Sequence, residues 1–187
     1  MNNKDQYINE AIKYFKTKLN DNDQNQYDLY WFTLKTNIDW LKQTPYRDRR
    51  ELLQDLTRST YNKIDRHLIK KPNRPCNAHK RLDARTVIES KDRYGNPTDH
   101  HAHAVIAVHS TLSSKFDQGL FARVIEKGSF NGVPLSEVMH SIDCKRIDIS
   151  HDLWHQWDTD LASTLDYMFK HARDQRNHDA MTPWSYF

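Results

Sequence analysis

Five consecutive apolar residues, Ala104-Val105-Ile106-Ala107-Val108, run between His103 and His109. A run this short and this rich in β-branched residues reads as a buried strand. Upstream, Lys91-Asp92-Arg93-Tyr94-Gly95-Asn96-Pro97-Thr98 carries strong turn chemistry. Ahead of that turn, Arg85-Thr86-Val87-Ile88-Glu89 is again β-favouring. The order predicts a hairpin whose return strand is residues 101–109.

The remaining elements arrange themselves around this hairpin. Ile8, Ala11, Ile12, Tyr14, Phe15 and Leu19 recur at helical spacing, so residues 5–19 read as an amphipathic helix. The polar stretch 20–26 is a connector, and residues 27–36, aromatic and β-favouring, read as a strand. A helical period through Leu52, Leu53, Leu56, Tyr61, Ile64 and Leu68 stops before Pro72, and 69–83 reads as a loop. Short helices follow at 116–127 and near 135–140, then a strand from Ile142 to Ile149. Asp158 or Thr159 is expected to cap a last helix running to about Arg173. This order predicts an α+β fold: a central, largely antiparallel β-sheet flanked by helices, with an extra N-terminal helix.

Composition narrows the function. No run approaches the roughly 18 apolar residues of a membrane span, and Met1-Asn2-Asn3-Lys4-Asp5 leads into no apolar core of a signal peptide. A cytoplasmic protein without a membrane partner is expected. Cys76 and Cys144 alone make neither a disulfide framework nor a four-thiolate zinc site. With four glycines and no G-x-x-x-x-G-K-[ST], the chain has no P-loop. The net charge is only +3, but between Lys63 and Arg93 ten Lys and Arg face four acids. Such a local excess attracts a phosphate backbone, although a solvated surface also explains it.

The sharpest chemical signal is His101-Ala102-His103. On a strand, His101 and His103 project to one face and Ala102 to the other, so two imidazoles form a seat for a divalent cation. If the hairpin closes around Gly95-Asn96, Glu89 pairs close to both and offers a carboxylate. Asp99 competes for that role from the turn, and an ion pair with a nearby cation is the plainer use of Glu89. Two imidazoles and a carboxylate leave coordination positions open to phosphate oxygens, which suits Mg²⁺ or Mn²⁺. In the last helix Tyr167, Lys170 and His171 share a face. A phenol with its reference pKa near 10 needs help to act as a nucleophile, and a cation that polarises the phosphate gives it. A lysine one turn away can orient the same phosphate.

Phe32-Thr33-Leu34 on a strand, then His101-Ala102-His103, then Tyr167 with Lys170 on a helix, resembles the HUH endonuclease superfamily. The closest likeness is to the single-tyrosine rolling-circle replication initiators of small viruses, phages and plasmids, in which a carboxylate on the strand before the histidines completes the metal site. Glu89 matches that carboxylate. The resemblance covers residues 27–174, a nuclease domain of ferredoxin-like or RRM-like fold, between an N-terminal helix and connector (1–26) and a C-terminal tail (175–187). It implies a metal-dependent enzyme that nicks and rejoins single-stranded DNA at a replication origin through a 5′-phosphotyrosine link on Tyr167. A host helicase and polymerase are the implied partners. Lys35, Arg81, Arg85 and Arg93 are the expected backbone contacts, with Trp31 and Tyr94 as base-stacking surfaces. Two other readings stay open: a non-catalytic nucleic-acid-binding module, and a metal-dependent hydrolase that activates water.

Overall fold

The computed structural model describes residues 3–20, 27–45, 48–91, 97–147, 154–168 and 184–186. Its elements in chain order are α1 (Asn3–Asn20), β1 (Tyr27–Thr36), α2 (Ile38–Lys42), α3 (Arg49–Leu68), a 3₁₀ turn (Pro75–Lys80), β2 (Asp83–Lys91) and β3 (Pro97–His109). They continue with α4 (Ser110–Ser113), α5 (Gln118–Lys127), β4 (Ser129–Phe130), β5 (Val133–Pro134), α6 (Leu135–Val138), β6 (Met139–Arg146), α7 (Trp154–Met168) and β7 (Trp184–Tyr186). Five strands form one sheet in the order β6-β1-β3-β2-β7, every neighbouring pair antiparallel. The expected α+β architecture, an antiparallel sheet flanked by helices with a further helix at the N-terminus, is what the chain adopts. No described helix is long and apolar enough to cross a membrane.

The apolar run Ala104–Val108 has no polar alternation because β3 is the central strand and is covered on both faces. Its even-numbered residues Ala102, Ala104, Ile106 and Val108 join Tyr30, Phe32 and Leu34 of β1 under α3 and α5, where Leu53, Leu56, Tyr61 and Phe121 are buried. Tyr61 adds a polar tie to the sheet, with its hydroxyl 3.0 Å from Thr86 Oγ1. Val105 and Ala107 join Leu29 and Val87 on the other face. That face is covered by Ala11 and Phe15 of α1 and by Leu161, Leu165 and Met168 of α7. The N-terminal helix is therefore part of the core that backs the sheet.

Local chemistry explains several boundaries. Asp117 caps α5, its Oδ1 accepting the Leu120 N–H at 2.7 Å. The helix expected near 135–140 is a single turn, because the Asn37 N–H takes the Val138 carbonyl at 2.9 Å and Met139 already pairs with Thr36. The strand placed at 142–149 accordingly starts earlier, at Met139. Asn131 and Gly132, both at positive φ, turn the small β4–β5 hairpin, which sequence reading did not separate out. Helix α7 begins at Trp154, so Asp158 and Thr159 lie inside it and do not cap it. The stripe Leu161, Leu165 and Met168, buried against the sheet, outweighs the mild cost of Asp and Thr within a helix. The expected continuation of this helix to Arg173 lies outside the described residues.

Candidate metal centre

In the β2–β3 ladder Glu89 stands directly opposite His101. Directly paired residues share a face, and His103 lies two residues further along that same face. One carboxylate oxygen, Glu89 Oε2, is 3.2 Å from His101 Nε2 and 3.2 Å from His103 Nε2. One ligand atom from each residue lies within 4.8 Å of the others. Glu89 and His103 are buried while His101 is half-exposed, so the group opens toward solvent on the His101 side. Two imidazole nitrogens and a carboxylate oxygen converging on one point are a donor set that fits a divalent cation. The ladder register is the local cause: β2 and β3 pair antiparallel as the intervening turn residues predict, and an irregularity between Glu89 and Lys91 sets the register that puts Glu89 opposite His101.

A second layer holds His103. Across the β1–β3 ladder its partner is Thr33, whose Oγ1 lies 3.0 Å from His103 Nδ1. The Trp31 ring stacks on the imidazole at 4.8 Å between centroids and 23° between planes. With one ring nitrogen engaged by the hydroxyl, Nε2 is the atom that faces Glu89. Thr33 sits in the Phe32-Thr33-Leu34 stretch, but its role was not read from the sequence. Its signal is the pairing of β1 with β3, which places the hydroxyl level with the imidazole.

Tyr167 comes from α7, far away in sequence, yet its ring centroid is 5.8 Å from that of His103 and 5.9 Å from that of Trp31. Leu161, Leu165 and Met168 seat this helix on the sheet, whereas Tyr167 is 52% exposed and points its ring toward the histidines. Lys35 is the cross-strand neighbour of His101 on β1 and forms an exposed ion pair with Asp143 of β6 at 3.2 Å. Trp31, Lys35, His101, His103, Asp143 and Tyr167 line a common cavity of about 1360 Å³. Lys145, opposite Trp31 in the β1–β6 ladder, adds a cation to its wall, and sequence reading had not singled it out. His100, buried on β3, also reaches this cavity, and its carbonyl accepts the Thr36 hydroxyl at 2.9 Å.

The other predicted site residues fall elsewhere. Arg81 donates from Nε to the buried carboxylate of Asp65 at 3.2 Å, and Asp65 also accepts the Leu82 N–H at 2.9 Å. The Arg85 guanidinium lies 4.2 Å from the centroid of the Tyr14 ring, under α1. Neither arginine lines the cavity, because partners distant in sequence hold both. Lys170, Arg93 and Tyr94 lie outside the described residues, as do His171 and the side chain of Asp99.

No protein-family model matches the chain, and no curated protein or solved structure matches it.

Proposed function

We propose that the chain is a rolling-circle replication initiator: a metal-dependent enzyme that nicks and rejoins single-stranded DNA at an origin with Tyr167 as its nucleophile. The observation that carries this reading is the placement of an exposed tyrosine ring 5.8 Å from the ring of His103, one member of a Glu89–His101–His103 group able to hold a metal ion. A Mg²⁺ or Mn²⁺ held by these three residues would supply Lewis-acid polarisation of a non-bridging phosphate oxygen.

Each remaining task falls to a residue of the chain. The Tyr167 oxygen forms a bond to the scissile phosphorus while the bond from phosphorus to the 3′ oxygen breaks. The electron pair leaves on that oxygen, which takes up a proton as the phenol proton passes to solvent. One ester replaces another, so the step needs no oxidant or co-substrate, and attack by a 3′-hydroxyl reverses it. Lys35, level with His101, is suited to steady the phosphate once Asp143 yields it. Lys170 is assigned the same duty near the nucleophile, from the tyrosine motif. The freed 3′-hydroxyl is a primer for a host polymerase, with a host helicase opening the duplex.

The test is a covalent-adduct gel. Wild-type protein and Tyr167→Phe are incubated with a labelled single-stranded DNA pool of randomised centre, with Mn²⁺ or with EDTA. The expected result is a band resistant to heat and SDS that requires both the metal and Tyr167. Cleavage that persists in Tyr167→Phe would replace this mechanism with water activation. Retention of DNA without any adduct or cleavage would replace it with a binding module.

A further inference from the structure

Residues 66–82 contain no Asp or Glu, yet they include Arg66, Lys70, Lys71, Arg74, Lys80 and Arg81. Arg81 is engaged with Asp65. Arg66, Lys70, Lys71 and Arg74 are exposed and Lys80 is half-buried. Among the described residues these five enter no ion pair. Burial, and then Arg66, lowers the pKa of the Lys63 ammonium. Burial, followed by His79 and Lys80, lowers that of His109.

The segment is also held in shape. Asn77 Nδ2 donates to the carbonyls of Lys70 and Lys71, both at 3.1 Å. The Arg74 N–H donates to the Lys71 carbonyl at 3.1 Å, and the Asn77 N–H to the Arg74 carbonyl at 2.9 Å. The Tyr27 hydroxyl fixes the far end through the His79 carbonyl at 2.6 Å. Lys71 itself sits at φ 62°, a left-handed conformation that a lysine keeps only where its surroundings hold it. Cations on such a frame lose less freedom on meeting a ligand than cations on a loose loop.

The segment enters the sheet at Asp83, the end of β2 opposite Glu89. Six residue steps along the strand separate the two, roughly 20 Å. Residues 66–82 contain no Phe, Tyr or Trp, the large rings on which unpaired bases stack best. Lysine ammoniums engage phosphates, and duplex DNA presents phosphates most densely while hiding its base faces, so that the guanidiniums of Arg66 and Arg74 also meet phosphates there.

We propose that Arg66, Lys70, Lys71, Arg74 and Lys80 form a docking surface for the backbone of duplex DNA, separate from the metal centre and indifferent to base sequence. It stands whether or not Tyr167 forms an adduct.

Fluorescence anisotropy with a blunt duplex of about 20 base pairs, and with a single strand of the same length, tests the surface across a salt series. The triple variant Lys70→Ala, Arg74→Ala, Lys80→Ala is expected to lose about tenfold or more in duplex affinity near 100 mM salt. Its slope of log affinity against log salt should fall by roughly 2–3. Single-strand affinity should change less than about twofold. Lys70→Glu and Arg74→Glu, each on an exposed side chain, should each weaken duplex binding several-fold at an unchanged melting temperature. Duplex affinity within about twofold of wild type in the triple variant would overturn the proposal, as would a parallel loss of single-strand binding. Loss of duplex binding in a protein that never forms a DNA adduct supports the surface while refuting the nickase, so the two readings fail separately.

Discussion

Thr33 Oγ1 lies 3.0 Å from Nδ1 of His103, and the opposite nitrogen of the same ring lies 3.2 Å from Glu89 Oε2. A hydroxyl on one nitrogen selects which of the two is available as a ligand and sets the plane of the ring. Thr33→Val keeps the side-chain shape and removes that partner. Mn²⁺ affinity measured by titration calorimetry should fall roughly 10- to 100-fold, with Thr33→Ser recovering most of it. Equal affinities in Thr33→Val and wild type would show that stacking on Trp31 orients the imidazole unaided.

Binding to the folded state alone should stabilise the protein by mass action. At a Mn²⁺ concentration about 100 times Kd the gain is about 2.7 kcal/mol, visible as a rise in Tm that EDTA reverses. Glu89→Gln preserves the shape of the buried side chain and removes its charge, so the rise should vanish in that variant. A rise that survives Glu89→Gln would place the ion on other ligands.

Phe15 is fully buried in the core shared with Leu29, Val105, Leu161 and Leu165. Phe15→Ala should therefore cost about 3–5 kcal/mol in urea unfolding. A helix that merely rested on the surface would lose less than about 0.5 kcal/mol, so the two outcomes are well separated.

His109 gives the fold a pH dependence with a definite sign. Its Nδ1 accepts the Thr111 N–H at 3.3 Å and lies 2.8 Å from Thr111 Oγ1, an arrangement that uses the neutral ring to cap α4. Burial first, then His79 and Lys80, holds its pKa below the ordinary histidine value. The unfolded chain takes up this proton near pH 6.5, before the folded one does. Between the two pKa values stability rises with pH, so it is lost as pH falls below about 6.5 until the folded pKa is passed. His109→Asn retains a capping side chain but cannot titrate. Its unfolding free energy should change less than that of wild type between about pH 5 and 7, and parallel profiles would show that His109 is not responsible.

What was legible in the sequence was mostly local. The turn residues ahead of His101 announce an antiparallel hairpin and so bring Glu89 near the histidines, but its place opposite His101 depends on a register shift between Glu89 and Lys91 that the turn does not announce. The helical period of Ile8, Ala11, Ile12 and Phe15 is equally plain, but an apolar stripe does not say what covers it. Its seat beside α7 depends on packing between distant segments. Thr33 and Tyr167 meet His103 through a strand pairing and a helix docking that no short window contains. Charge was readable at Arg81 and Arg85, whereas Asp65 and Tyr14, which occupy them, lie 16 and 71 residues away in sequence. Asp158 and Thr159 have the character of caps, and the burial of Leu161, Leu165 and Met168 prevailed over that preference.

All three candidate ligands lie within residues 89–103, while Tyr167 follows 64 residues after His103. Bringing together the ends of a short segment costs less chain entropy than closing a long one, and each doubling of the loop adds about 0.6 kcal/mol. A chain leaving the ribosome has all three candidate ligands in hand well before the tyrosine exists. Synthesis thus imposes an order, with the acid–imidazole pocket able to assemble around β3 first and the phenol arriving as a late addition.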